Sequence, residues 1–123
     1  LPESNWEPSL GAIHLEDHRC RFRVWAPRAR RVEALLCGGR RIPLEPREHG
    51  YFEAAVEGVE PGARYLYSLE GGEGRPDPAS RHQPDGVHGP SRVVDRRFGW
   101  RDEGWRGIAL GQYIFYELHV GTF

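Results

Sequence analysis

Short stretches in which apolar and polar residues alternate, each closed by a glycine or proline turn, repeat about every ten positions from Gly11 to Glu70, and this spacing constrains the fold most. The cleanest is Arg19 to Trp25: Cys20, Phe22 and Val24 point one way, Arg19, Arg21, Arg23 and Trp25 the other. One face of such a strand packs in a core; the other meets water or a neighbour. Gly11 to Glu16 alternates more weakly through Ile13 and Leu15. Arg31 to Cys37 sets Val32, Ala34 and Leu36 on one face, and Gly38-Gly39 supplies a two-residue hairpin turn. Arg40 to Glu45 returns as an edge-like strand, because Pro43 has no backbone donor for a central ladder. His49-Gly50 turns the chain into Tyr51 to Val56, and Pro61-Gly62 turns it into Arg64 to Glu70, where Tyr65, Tyr67 and Leu69 share a side.

No stretch carries a long helical period, and the chain holds 16 Gly and 10 Pro. Many short strands joined by turns have one compact solution, two antiparallel sheets packed face to face. The expected class is therefore all-β, an immunoglobulin-like antiparallel β-sandwich. An apolar share of 38% is enough to fill its core.

The texture changes at Gly71. Pro76, Pro78, Pro84 and Pro90 space the next stretch so that neither a helix nor a central strand fits, and a segment this long is expected to be held along a surface by its side chains. Ser91 to Asp95 offers a closing strand through Val93 and Val94, and Phe98 to Arg106 reads as a linker anchored by Trp100 and Trp105. Tyr113 to Val120, bounded by Gly111 and Gly121, is apolar at all but Glu117 and His119, as in a strand covered on both faces. Parallel strands need long crossovers, and none precedes it. We expect a lead-in at 1–10, the sandwich at 11–95, a linker at 96–111, and at 112–123 the truncated first strand of a further domain. Without that domain, residues 113–120 are expected to pair with another edge, including one in a neighbouring chain. The lack of Met fits an expectation that the sequence is part of a longer one.

A formal charge of −1 gives no pull toward nucleic acid or an anionic membrane. No apolar run reaches the ~18 residues of a membrane span and no signal-peptide pattern appears, so the expected compartment is the cytoplasm. Cys20 and Cys37 fall in two expected strands and read as reduced thiols.

Three motifs carry a resemblance. Tyr116-Glu117-Leu118-His119-Val120-Gly121-Thr122-Phe123 resembles the segment opening the catalytic (β/α)₈ barrel in the branch of the α-amylase superfamily that holds glycogen-branching, debranching and trehalose-releasing enzymes. Phe22-Arg23-Val24-Trp25-Ala26-Pro27 resembles the opening of the β-sandwich module placed before that barrel. Asp77-Pro78-Ala79-Ser80-Arg81-His82-Gln83-Pro84-Asp85-Gly86-Val87-His88-Gly89-Pro90-Ser91 is similar to maltooligosyltrehalose trehalohydrolases, whereas branching enzymes share its Asp-Pro start but not the continuation from Gln83 to Gly89. The resemblance implies the N-terminal module of a glycoside hydrolase that releases trehalose, with the barrel as its partner and maltooligosaccharide as the ligand of the whole enzyme. A branching-enzyme module and a stand-alone α-glucan-binding module are the alternatives.

Glycoside hydrolysis needs two flanking carboxyl groups. The family sets them on later barrel strands, so no catalytic residue is expected in this chain, and no cofactor. Glu117 and His119, two apart on one strand face, are candidates for lining a sugar pocket in the whole enzyme. Trp25, Arg81, Asp85 and His88 are candidates for a domain interface, the last three by fixing the extended segment through hydrogen bonds. His82, Asp85 and His88 have a loose metal-like spacing, but they sit among Gly and Pro without a fourth ligand, and no metal is expected. Trp25, Trp100, Trp105, Tyr51 and Tyr65 are the aromatic residues on which sugar rings would stack if the module bound glucan; core and interface filling is the reading set first.

Overall fold

A computed structural model describes residues 9–15 and 17–122. Residues 1–8 of the expected lead-in, Glu16 and Phe123 lie outside the described residues. The strands are β1 (Gly11–His14), β2 (Arg19–Trp25), β3 (Val32–Leu36), β4 (Arg41–Pro46), β5 (Tyr51–Glu57), β6 (Arg64–Leu69), β7 (Gly74–Arg75) and β8 (Ser91–Arg92).

All pairings are antiparallel, in the order β1-β2-β5-β4-β3-β6-β7, with β8 added to β6. One layer is β1-β2-β5; the other is β4-β3-β6 with the two short strands. The hinge between them is β4, which pairs with β3 through Arg41–Leu44 and then with β5 through Glu45 and Pro46. Its expected edge character is thus only half right. Pro43 sits opposite Glu33 of β3, before the pairing with β5 begins, so the missing donor breaks no ladder. The result is the expected immunoglobulin-like sandwich, closed at one corner by a strand that serves both sheets.

The core follows from the two-residue period. Cys20, Phe22 and Val24 of β2 are buried, as are Phe52 of the adjacent β5 and Val32, Ala34, Ile42 and Leu44 from the facing layer. Phe22 has no exposed surface and meets Tyr65 edge to face at 5.1 Å between centroids; Tyr65 meets Tyr67 the same way at 5.6 Å. Leu69, expected beside those tyrosines, is 37% exposed at the end of β6, where Glu70 turns the chain with φ of 54°. Cys20 is buried and Cys37 exposed, both as free thiols, and burial pushes Cys20 up to about 12.

Gly50, at φ +80°, closes the turn before β5 directly on Pro27: a Cβ there would stand 2.6 Å from the proline Cα. That contact brings the turn after β2 and the turn before β5 together at the end of the sandwich where Trp25 lies.

Three expectations are corrected. The closing strand expected at Ser91 to Asp95 is the two-residue β8, although Val93 is 1% exposed and its amide donates to the Ala63 carbonyl at 2.9 Å. Trp100 and Trp105 do not anchor the linker, being 69% and 66% exposed. Trp100 instead meets Phe98 two residues away, a local ring contact that reaches no part of the sandwich. Tyr113 to Val120 forms no strand and pairs with none of the described strands; a 3₁₀ turn at Leu110–Gln112 precedes it and its side chains are exposed.

Candidate functional site

The stretch from Arg75 to Pro90 is organised by one buried carboxylate, Asp77, which is 3% exposed. Its Oδ2 accepts from the Tyr65 hydroxyl at 2.6 Å and its Oδ1 from the Ala79 amide at 2.8 Å. The Asp77 amide donates to Ser91 Oγ at 3.0 Å, and the Ala12 amide donates to the Tyr65 hydroxyl oxygen at 3.3 Å. Asp77, through its carboxylate and its amide, and Tyr65 together thereby join β1, β6, β8 and the Asp-Pro turn. Burial raises the Asp77 carboxyl above its ordinary range, against the opposing pull of the Tyr65 and Ala79 bonds and the Arg81 charge.

Arg81 extends this node. Its Nη2 donates to the Leu10 carbonyl at 2.8 Å and its Nη1 to the Ala12 carbonyl at 3.5 Å. Gly11, at φ +90°, lies so close that a Cβ would stand 3.1 Å from the Ala79 carbonyl oxygen. Asp85 pairs with Arg64 of β6. Two of the three expected fixing residues, Arg81 and Asp85, therefore hold the segment against the sandwich. His88 is exposed. The loop around it closes on Gln83 instead, whose Nε2 donates to the carbonyls of Val87 at 2.9 Å and Gly89 at 3.5 Å.

Beside this node stands Trp25, 57% exposed. Its indole Nε1 donates to the His49 carbonyl at 3.0 Å, so the ring edge is fixed while the face stays open. Trp25, Val24, Leu10, Asp77, Pro78 and Ala79 line a hollow of about 180 Å³. Trp25 pairs with Tyr51 across β2 and β5, and the next pair along the same face is Arg23 with Glu53. Arg23 lies over the Tyr51 ring at 4.7 Å from its centroid. The outer face at this end is thus aromatic with a charged flank. Tyr65, a sequence candidate for sugar stacking, is 2% exposed and belongs to the core.

Glu117 and His119 are exposed. His119 Nδ1 lies 3.1 Å from Thr122 Oγ1. Among the described residues no group of three His, Cys, Asp or Glu is arranged to hold a metal ion.

Two clusters were not read from the sequence. His14 Nε2 and His18 Nδ1 flank Glu60 at 3.1 and 3.2 Å, joining the β1–β2 turn to the loop before β6. Glu33 of β3 points away from the core, yet its side chain is only 4% accessible, covered by the guanidinium groups of Arg31 and Arg41, each 2.9 Å away. Those bonds hold its carboxyl down to about 2. With a folded value depressed below the ordinary 4.5, the unfolded chain takes up the proton first, so this contribution is present above about pH 4.5 and fades toward pH 2. Glu33→Gln should therefore lower the melting temperature most at neutral pH, with the gap to the unsubstituted chain closing on acidification. Because both arginines are half open to water, added salt should shrink the gap as well. A gap that stays constant down to pH 2.5 would remove the ion pairs from the account.

Comparison with known proteins fits this architecture. Residues 9–85 match the model of carbohydrate-binding module 48, the isoamylase N-terminal domain. The chain is 45% identical over 104 residues to the malto-oligosyltrehalose trehalohydrolase of Deinococcus radiodurans and 38% identical over 109 residues to that of Saccharolobus solfataricus, covering 84% and 89% of this chain. It spans only 17% and 19% of those relatives. A 1,4-alpha-glucan branching enzyme of Vibrio parahaemolyticus is 33% identical over 117 residues, covering 83% of this chain and 16% of its own length. Among solved structures, a Salmonella typhimurium protein named as an α-amylase superposes with a TM-score of 0.81 at 39% identity, over 96% of this chain and 20% of that one. No helix among the described residues is long and apolar enough to cross a membrane. With the family model covering most of the sandwich and the fold matching in solved structures, the chain belongs to the carbohydrate-binding module 48 family of α-amylase-superfamily enzymes.

Proposed function

We propose that the chain is the non-catalytic N-terminal module of a glycoside hydrolase that releases trehalose from maltooligosyltrehalose, a step of trehalose formation from α-glucan. Its task is to orient the catalytic barrel and shape the barrel's cleft. The observation that carries this reading is the likeness to trehalohydrolases of several organisms over more than four fifths of the chain, at higher identity than the branching enzyme reaches. On this reading residues 96–111 lead into the barrel and 112–123 begin it, with Glu117 and His119 near the sugar. Trp25 and the hollow beside Pro78 form the docking face, and Arg81 and Asp85 hold its wall in place. The compartment we assign is the cytoplasm, supported by two free thiols, one of them exposed.

The test uses a trehalohydrolase, such as the Deinococcus relative, from which the matching N-terminal segment has been removed. Adding this chain should restore trehalose release, and the chain alone should release none above a protein-free blank. Trp25→Ala, which truncates a large central aromatic contact, should weaken the restoration by roughly tenfold or more. Trehalose produced by the chain alone, or restoration indifferent to Trp25, would overturn the proposal.

The open indole beside a hollow favours a second reading, an α-glucan subsite at Trp25. Titration with maltoheptaose separates the two: millimolar binding by the chain alone, lost in Trp25→Ala, would put sugar recognition first.

A further inference from the structure

Of the aspartates in this chain, Asp85 alone is followed by a glycine. An aspartate side chain is open to attack by the next amide nitrogen once the two come within reach, and glycine, with no Cβ, leaves that approach clear. In the fold both reacting groups are engaged elsewhere. The Asp85 carboxylate pairs with Nη1 of Arg64 on β6, and the Gly86 amide donates to the Gln83 carbonyl at 3.2 Å. The backbone around them is closed as well. Gln83 Nε2 holds the Val87 carbonyl, a Cβ on Gly89 would stand 2.9 Å from the Asp85 Cβ, and the Arg92 amide donates to the His82 carbonyl at 2.8 Å. Asp85 and Arg64 are nonetheless half open to water, so solvent and salt can part them.

We propose that Asp85-Gly86 is a site of spontaneous isoaspartate formation, held in check by Arg64. When the ion pair opens and the loop loosens, the freed carboxyl, in its protonated form, turns back on the chain. The Gly86 nitrogen bonds to Asp85 Cγ and gives up its proton, the bond from Cγ to its hydroxyl oxygen breaks, and water leaves, closing a five-membered succinimide. Water then adds to one of the two ring carbonyls. Addition at Cγ restores the aspartate. Addition at the former main-chain carbonyl carbon breaks that carbon's bond to the Gly86 nitrogen, and the backbone then runs through Cβ and Cγ. One water leaves and one returns, so the mass is unchanged and no other reactant is needed. The product has a main chain longer by one carbon and a carboxylate attached directly to Cα. That carboxylate is out of register with Arg64, and the Gly86 amide with the Gln83 carbonyl, so the change detaches the loop from β6. While the pair is closed, the carboxyl stays on Arg64 and the near-attack arrangement is not reached. This chemistry does not depend on the trehalohydrolase reading.

The test incubates the chain for weeks at neutral pH and measures isoaspartate at Asp85 by electron-transfer fragmentation, which separates it from aspartate at equal mass. A free peptide spanning Arg81 to Arg92 sets the unrestrained rate. The folded chain should isomerise roughly tenfold or more slowly than the peptide, because only its locally opened fraction reacts. Arg64→Gln, with the circular dichroism of the sandwich unchanged, should raise the folded rate several-fold toward that of the peptide, and Arg64→Lys should raise it less. Added salt should speed the unsubstituted chain relative to the peptide at the same salt, and leave Arg64→Gln where it was. The salt series needs no substitution, so it decides the matter even where a variant does not fold. A folded chain that isomerises as fast as the peptide, an Arg64→Gln chain as slow as the unsubstituted one, or a rate indifferent to salt would each overturn the proposal.

Discussion

Phe22→Ala is expected to cost the sandwich about 3–5 kcal/mol, a loss comparable with the whole stability of many small domains. Phe22 has no exposed surface and packs edge to face on Tyr65, so truncation removes a ring and leaves a void between the two sheets. Collapse around the void is restricted, because Tyr65 is fixed at its hydroxyl by Asp77 and the Ala12 amide. Phe22→Leu, which keeps most of the volume, should cost markedly less. Equilibrium denaturation in urea measures both, as a lowered midpoint at unchanged slope. If Phe22→Ala unfolds no more readily than Phe22→Leu, the ring contact is not what fixes the distance between the layers.

Much of this core was legible beforehand, for a definite reason. In β2 the alternation of Cys20, Phe22 and Val24 with Arg19, Arg21, Arg23 and Trp25 is a local property, and the fold only had to cover one face of it. Trp25 was likewise legible as an outward residue. Partnerships between distant residues were not. Glu33 reads as a solvated charge until the pairing of β3 with β4 brings Arg41 beside it. Asp77 reads as the first letter of a turn motif, since Tyr65 and Ser91, 12 and 14 residues away, become its partners only when β6 and β8 pair. The misreading of Trp100 and Trp105 as anchors has another cause. An apolar pattern records that a residue is suited to burial, but not whether the surface that would bury it is at hand.

The hydrogen-bonding node at Asp77 gives the second large effect, with a pH dependence opposite in sign to that of Glu33. Asp77→Ala leaves the Tyr65 hydroxyl and the Ala79 amide without their acceptor inside the fold. An orphaned buried group costs about 1–3 kcal/mol, so a total of roughly 2–4 kcal/mol is expected. Asp77→Asn keeps one good acceptor and should lie between the two. Burial raises the folded carboxyl above the ordinary 3.8, so the folded chain holds this proton more tightly than the unfolded one. The resulting stability is fully present below the ordinary value and is lost as pH rises through the folded value. The gap between the unsubstituted chain and Asp77→Ala should therefore be widest in acid and narrow toward neutrality, where urea midpoints at a series of pH values would record it. A gap that widens with pH would mean that the Tyr65 and Ala79 bonds and the Arg81 charge outweigh desolvation, and that the site holds a carboxylate by design. In either case the loss reaches function through geometry. Pro78 and Ala79 form the wall facing Trp25, and the backbone that carries them is tied down by Asp77. Asp77→Ala should consequently weaken whatever Trp25 engages, even though Asp77 lies beneath the surface.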